Sequence, residues 1–128
     1  MIYLDTSVAL AHLLGEARAP DAALWEADLV SSRLLEYELW NRLHARGLMA
    51  SHGDAARDML TRIAVLELTP AVLARALAPF PLPVRTLDGL HLASIVHLRA
   101  QRQAVSLATY DRQLAAVAAA MGILVIDA

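Results

Sequence analysis

The sequence MIYLDTS at residues 1–7 joins a short apolar run to an acid and two hydroxyl side chains. Residues 104–111, AVSLATYD, repeat this order of apolar run, polar cluster and acid. Five short apolar runs alternate with longer segments of helical periodicity, a pattern typical of a buried parallel sheet. These runs lie at 2–4, 29–31, 65–68, 104–107 and 123–126. The sequence therefore predicts an α/β fold with a parallel central sheet of about five short strands.

About seven helices are predicted to flank the sheet, at 7–14, 20–27, 32–46, 51–63, 70–78, 87–102 and 111–121. Pro20 and Pro70 suit first helical turns, whereas Gly47 and Gly122 suit helix ends. The alternating prolines of 79–83 predict an extended loop ahead of the next helix. Since no repeat or linker divides the chain, we expect one domain over 1–128.

Composition excludes several classes of protein. The chain has 13 acids, 11 basic residues that are all arginine, no lysine and no cysteine, for a formal net charge of −2. Disulfide frameworks, cysteine-ligated metals, Schiff bases and the Walker A loop are therefore excluded. The longest uncharged stretch, 113–126, is shorter than the ~20 residues of a membrane span. With no recognisable secretory signal either, we expect a cytoplasmic protein.

Asp5 and Asp111 each follow an apolar run and precede a helix, so each can simply cap that helix. In an open α/β sheet, however, ligands bind at the carboxyl ends of the strands. Two acids at that edge, on neighbouring strands, repel each other unless a cation compensates them. The pair therefore favours a metal site, with capping as the structural alternative for each acid.

The helix at 32–46 offers Glu36 and Glu38, which point about 200° apart at 100° per residue. Glu38 shares the apolar face of this helix, and Glu36 lies outside it. Two interpretations of Glu38 remain open: a buried ion pair with Arg42, four residues on, and a metal ligand with an arginine beside it.

Asp88 lies at the start of a helix, where the helix dipole favours a carboxylate. It also shares one stripe with Leu92 and Ile95, at the i, i+4, i+7 spacing of an apolar face. A carboxylate on such a face needs a partner.

Together these motifs resemble the PIN domain, and specifically the VapC-type toxin ribonucleases of bacterial toxin–antitoxin pairs. The resemblance covers 1–126 and includes DTS at 5–7, a glutamate in the third helix, LDGLHLA at 87–93 and ATYDRQL at 108–114. It implies cleavage of RNA that depends on Mg²⁺ or Mn²⁺, inhibition by a VapB-type antitoxin, and a homodimer. The metal-site acids that it implies are Asp5, Glu38, Asp88 and Asp111, with Thr6, Ser7 and Thr109 as supporting hydroxyls.

The chemistry agrees with this resemblance, because carboxylate-bound divalent cations lower the pKa of water and screen an anionic phosphodiester. Arg42, Arg85 and Arg112 lie near the acids in sequence and either contact phosphates or remain solvated or ion-paired surface residues. His91 is expected to pack and to form hydrogen bonds within its helix, with catalysis as the alternative. A small chain with 58% hydrophobic residues is also expected to leave an apolar patch for a partner, consistent with a homodimer.

The motifs exclude two alternative functions and leave a third open. A haloacid-dehalogenase-like phosphatase requires a second Asp where this chain has Ser7, and a receiver domain requires a lysine. A catalytically silent PIN-like module that binds a partner protein or RNA remains open.

Overall fold

A five-stranded parallel sheet forms the centre of the protein, whose computed structural model describes residues 1–126. The strands, all parallel, are arranged in the order β3-β2-β1-β4-β5. They are β1 (Ile2–Leu4), β2 (Leu29–Ser32), β3 (Ala64–Leu66), β4 (Ser106–Ala108) and β5 (Val125–Ile126). The predicted α/β class and the five strands are confirmed. Residues 127 and 128 of the predicted domain lie outside the described residues.

Six α-helices connect the strands within the described chain, rather than the seven helices predicted. They are α1 (Thr6–Leu14), α2 (Arg33–Ala45), α3 (Met49–Leu60), α4 (Pro70–Leu77), α5 (Thr86–Ala100) and α6 (Arg112–Ala120). The predicted helix at 20–27 is instead a 3₁₀ helix, Ala22–Glu26. Its closing bond joins Ala27 N to Leu24 O at 3.2 Å, an i→i+3 pattern. Because β2 begins at Leu29, the segment is too short for further helical turns.

Alternate side chains of the strands enter two cores, one on each face of the sheet. Tyr3 and Leu107 pack with α5 and α6, whereas Leu4 and Ala108 pack with α1, α2 and α3. All four side chains are fully buried. These two cores hold the central strands β1 and β4 in place.

Local signals in the sequence place most of the connections. Gly47 and Gly122 follow α2 and α6 with φ of 67° and 74°, the left-handed conformation that favours glycine. The Pro-rich segment 79–83 forms the loop before α5, as predicted. Within residues 1–126, we find no helix long and apolar enough to cross a membrane.

The strand order places a topological switch point between β1 and β4. The chain proceeds from β1 to β2 and β3 on one side and returns to β4 and β5 on the other. Leu4 pairs with Ala108, so the next residues of the two strands, Asp5 and Thr109, leave the sheet side by side. Such a switch point forms a crevice outside the carboxyl ends of the strands, where open α/β sheets bind ligands.

Candidate functional site

A cavity of about 450 Å³ opens at this carboxyl edge of the sheet. Four acids predicted from the sequence line it, together with hydroxyl, arginine and apolar side chains. The lining residues are Asp5, Thr6, Ser7, Leu10, Glu16, Arg18, Glu38, Arg42, Arg85, Leu87, Asp88, Tyr110 and Asp111. The fold thus brings together four carboxylates that are far apart in sequence, and we call this cavity the acidic cavity.

Asp5 is buried at the end of β1, and two hydroxyls fix its carboxylate. Its Oδ2 accepts hydrogen bonds from Ser7 Oγ at 2.7 Å and from Thr109 Oγ1 at 2.8 Å. The Ser7 backbone N–H also lies 3.4 Å from Oδ2, so Asp5 caps α1. Capping and a place in the acidic cavity are therefore compatible, because Oδ2 forms the cap and Oδ1 takes no part in it.

His91 lies beneath the acidic cavity and is 1% exposed. Its Nδ1 is 2.7 Å from Tyr3 Oη and its Nε2 is 2.7 Å from Glu38 Oε1. Nε2 also lies 3.7 Å from Asp5 Oδ1. Burial lowers the pKa of His91, but its contacts with Tyr3, Glu38 and Asp5 outweigh burial and raise the pKa to about 10. His91 is therefore a buried imidazolium that balances two carboxylates.

Glu38 lies on α2 and faces the same cavity, with its side chain 16% exposed. Burial raises the pKa of Glu38, but the hydrogen bonds from His91 and Thr6 and the charge of Arg42 bring the pKa below its usual value. Thr6 Oγ1 donates its bond to Oε1 at 2.9 Å. Glu38 is thus held ionised by His91 and Thr6, and the ion pair with Arg42 is not the contact that fixes it.

Asp88 and Asp111 form the other half of the cavity and share one arginine. Arg85 Nε and Nη2 lie 3.1 Å and 3.0 Å from Asp88 Oδ2, and Nη2 also donates to Asp111 Oδ2. Asp111 Oδ1 accepts from the backbone N–H of Gln113 and Leu114 at 2.9 Å and 3.1 Å, and so caps α6. Asp111 therefore combines a cap on one oxygen with an ion pair on the other.

Burial and the neighbouring carboxylates both disfavour the charged form of Asp88. Burial raises the pKa of Asp88, Arg85 lowers it, and Asp111 and Asp5 raise it again, so that the pKa lies above its usual value. Asp88 and Asp111 in turn raise the pKa of the Arg85 guanidinium. These carboxylates therefore favour a cation beside them.

Glu36 lies away from the acidic cavity, on the opposite side of α2. It forms an ion pair with Arg33 at 2.6 Å, and Arg33 also pairs with Glu67. An open groove of about 630 Å³ includes Arg33, Glu36 and Trp40. Although this groove is larger than the acidic cavity, Glu36 is its one acidic lining residue among those described, so the cluster of carboxylates in the acidic cavity is the better candidate for a cation site.

The two supporting arginines named from the sequence, Arg42 and Arg112, line two different hollows in the structure. Arg42 lines the acidic cavity. Arg112 begins α6 and lines a neighbouring hollow that shares Tyr110 and Asp111 with the cavity. Arg18 stacks on the Tyr110 ring, with Cζ 4.6 Å from the ring centroid, where the two openings meet.

Sequence reasoning did not find the partners of the acids. The Nδ1 and Nε2 atoms of His91 bond to Tyr3 and Glu38, not within its own helix as expected. Arg85 was considered as a phosphate contact or as a solvated or ion-paired surface residue, and it is ion-paired with two acids that are 23 residues apart in numbering. The one available signal was the position of His91 within the apolar run of α5, because a buried histidine requires hydrogen-bond partners.

The donors in the acidic cavity fit a hard divalent cation. Carboxylate and hydroxyl oxygens are the ligands that Mg²⁺ and Mn²⁺ prefer. Both ring nitrogens of His91 are already bonded, so this residue is not among the available ligands.

Across the part of the chain that the structure describes, no three His, Asp or Glu side chains are close enough to hold a metal ion. The four carboxylates are instead partly compensated internally, by Arg85 at Asp88 and Asp111 and by His91 at Asp5 and Glu38. A cation that binds Asp88 and Asp111 would therefore take the place of Arg85.

The fold and the cavity define a class of protein: small parallel α/β proteins with an acidic site at the switch point of the sheet. The family model described as PIN domain matches residues 2–126. The chain belongs to the PIN-domain family, as its motifs predicted.

Two curated relatives from Mycobacterium tuberculosis agree with this assignment. The chain is 31% identical over 121 residues to Ribonuclease VapC47 of strain CDC 1551 / Oshkosh, a match that covers 89% of this chain and 87% of the relative. It is 30% identical over 133 residues to Ribonuclease VapC35, found in that strain and in ATCC 25618 / H37Rv, with coverage of 98% and 96%. The resemblance to VapC-type ribonucleases is therefore confirmed.

Proposed function

We propose that this protein is the toxin of a toxin–antitoxin pair, an endoribonuclease that hydrolyses RNA phosphodiester bonds with Mg²⁺ or Mn²⁺. Asp5, Glu38, Asp88 and Asp111 hold the metal. The observation that carries the proposal is the convergence of these four carboxylates on one cavity at the switch point. The two relatives named as ribonucleases support the same activity.

The residues of the chain divide the work of the reaction. A bound Mg²⁺ or Mn²⁺ lowers the pKa of water and neutralises charge on the phosphodiester. Ser7 and Thr109 fix Asp5 through hydrogen bonds to Oδ2. Thr6 fixes Glu38 in the same way. Preorganised carboxylates need no rearrangement when charge develops in the transition state.

Two arginines serve substrate binding in this proposal. Arg42 at the cavity and Arg112 beside it contact phosphates of the RNA that flank the cleaved bond. The planar guanidinium suits this role because it donates two parallel hydrogen bonds to a phosphate.

The same proposal includes the setting in which the enzyme acts. We propose that 1–128 functions as one PIN-like domain in the cytoplasm, forms a homodimer and is inhibited by a VapB-type antitoxin. Light scattering tests the dimer, with an expected mass about twice the 13.8 kDa of one chain. A mass of one chain at high concentration contradicts the dimer, and a short reading frame upstream that encodes a DNA-binding protein supports the antitoxin.

Cleavage assays with single-acid variants test the enzymatic proposal. Asp5→Asn and Asp88→Asn should each lower the rate of RNA cleavage at least about a hundredfold, the usual range for loss of a group that stabilises charge in a transition state. Asp54→Asn is the control, because Asp54 is exposed and pairs with Arg57 away from the cavity. Full Mn²⁺-dependent cleavage by either cavity variant contradicts the proposed site.

A catalytically silent PIN-like module is the second candidate. The observation that favours it is that each of the four acids already has an internal cationic partner, either Arg85 or His91. Calorimetry with Mn²⁺ and cleavage of a mixed RNA pool distinguish the two candidates. Absence of both heat and cleavage supports the silent module.

A further inference from the structure

Arg85 lies outside the motifs quoted from the sequence, yet it contacts two acids of the acidic cavity. It lies directly before α5, at the end of the Pro-rich loop, and its side chain remains 60% exposed. The two carboxylates that it joins are far less exposed, Asp88 at 13% and Asp111 at 25%. Arg85 thus covers the acids from the solvent side.

The two internal cations of the cavity differ in their freedom to move. His91 is 1% exposed and bonded on both ring nitrogens, so it cannot leave without disrupting the core. The guanidinium of Arg85 is bound to Asp88 and Asp111 alone among the described residues, and faces water on its other side. Rotation of one exposed side chain therefore releases both carboxylates.

Charge explains why Arg85 occupies this position. Asp88 and Asp111 repel each other when no cation is present, and the guanidinium fork bonds to both at once. A divalent cation at these carboxylates makes the same compensation with twice the charge. The two cations compete because they require the same oxygens.

We propose that Arg85 is an exchangeable counterion, which pairs with Asp88 and Asp111 in the metal-free protein and must be displaced before a divalent cation binds them. Arg85 therefore weakens the affinity for the metal. Once displaced, its guanidinium remains tethered at the mouth of the cavity and is available to an RNA phosphate.

Calorimetric titration with Mn²⁺ tests this competition on the full chain. Arg85→Gln removes the competing charge and should bind Mn²⁺ about tenfold more tightly than the wild type, a change that corresponds to about 1.4 kcal/mol. Arg85→Lys keeps the charge without the fork and should fall between the two. Should Arg85→Gln fail to fold, as circular dichroism would show, the lysine variant carries the test alone.

Arg57→Gln is the matched control, because Arg57 is exposed and pairs with Asp54 outside the cavity. Its removal should change Mn²⁺ affinity less than about threefold, since distant surface charges are screened. Equal gains in Arg57→Gln and Arg85→Gln would show a general charge effect and overturn the proposal.

The outcomes also separate this proposal from the metal-dependent function on which it rests. Wild-type binding with unchanged or weaker affinity in Arg85→Gln overturns the role of Arg85 and leaves the metal site intact. Absence of Mn²⁺ binding in the wild type and in every Arg85 variant removes the metal site, and the role of Arg85 with it. Binding that is tighter in Arg85→Gln, or that is measurable there but not in the wild type, supports the exchange.

Discussion

His91 is enclosed by the core on every side, and its ring lies between Tyr3 and Glu38. His91→Ala leaves the Tyr3 hydroxyl and the Glu38 carboxylate without this partner. We expect the free energy of unfolding to fall by about 3 kcal/mol, since one lost partner leaves a buried polar group and a buried charge unpaired. Urea denaturation measures the change.

His97→Ala is the control on the same helix, because the half-buried His97 side chain is hydrogen-bonded, among the described residues, to the exposed Gln101 side chain at 3.0 Å. Its effect should stay within about 0.5 kcal/mol, the usual range for surface substitutions. Equal stability of the two variants would mean that the contacts of His91 carry little of the stability.

His12 provides a pH-dependent prediction away from the acidic cavity. Burial and the charge of Arg62 lower the pKa of His12 below its ordinary 6.5, and Asp58 borders the same hollow. A lowered pKa favours the neutral ring in the folded state, so the contribution to stability is complete above pH 6.5 and is lost as pH falls through the folded pKa.

Unfolding experiments between pH 7.5 and 5 measure this loss. The wild type should lose more stability over this range than His12→Gln, which cannot be protonated. Arg62→Gln should reduce the loss because it removes one of the two causes of the shift. Parallel pH profiles for wild type and His12→Gln would contradict the prediction.

At the scale of elements, the N-terminus of α6 allows the helix cap formed by Asp111 to be tested separately from its role in the cavity. Asp111 caps this helix through Oδ1 and faces the cavity through Oδ2. Asn caps a helix almost as well as Asp, whereas replacing the cap by Ala lowers the free energy of unfolding by about 1 kcal/mol. Asp111→Asn should therefore retain stability and lose RNA cleavage, and Asp111→Ala should lose both.

Asp21 serves as the matched cap outside the cavity. It caps the 3₁₀ helix by accepting from Ala23 N at 3.1 Å. Asp21→Ala should retain full cleavage. The free energy of unfolding and the rate of RNA cleavage are measured for the variants of both caps. Full cleavage by Asp111→Asn would mean that Asp111 acts only as a helix cap.

The order of strands and helices could be predicted from sequence because each element carries a local signal. Apolar runs give β1 to β5, and Gly47 and Gly122 mark helix ends. The prediction of a helix at 20–27 was wrong because the length of this segment is set by the distance to β2, which the periodicity of the sequence does not reveal. Boundaries shifted by a few residues for the same reason.

The candidate site could be predicted only in part. Strand–acid–helix order identified Asp5 and Asp111, and helix geometry selected Glu38 over Glu36 as the one that faces the cavity. The bonds from Arg85 and His91 could not be predicted, because they depend on tertiary proximity between α5, the end of β4 and α2. Partners far apart in sequence leave no periodic signal.

For the whole molecule, the distribution of charge affects RNA binding more than the net charge does. The formal net charge is −2, from 13 acids against 11 arginines. Five of those acids and three of the arginines line the acidic cavity, for a formal −2, and the remaining eight acids are matched by eight arginines. The cavity therefore holds the whole negative excess of the chain and repels RNA phosphates, whereas the rest of the chain is formally neutral.

A divalent cation should remove this repulsion, so RNA binding should depend on it even without cleavage. We expect a labelled short RNA to bind at least about tenfold more tightly with Ca²⁺ than with a chelator, in fluorescence anisotropy. The double variant Asp5→Asn, Asp88→Asn should bind RNA without Ca²⁺ and lose the response, because two of the repelling charges are gone. Asp54→Asn removes an acid outside the cavity and should respond like the wild type. Equal affinity of the wild type in Ca²⁺ and in chelator would mean that the cavity does not control the approach of RNA.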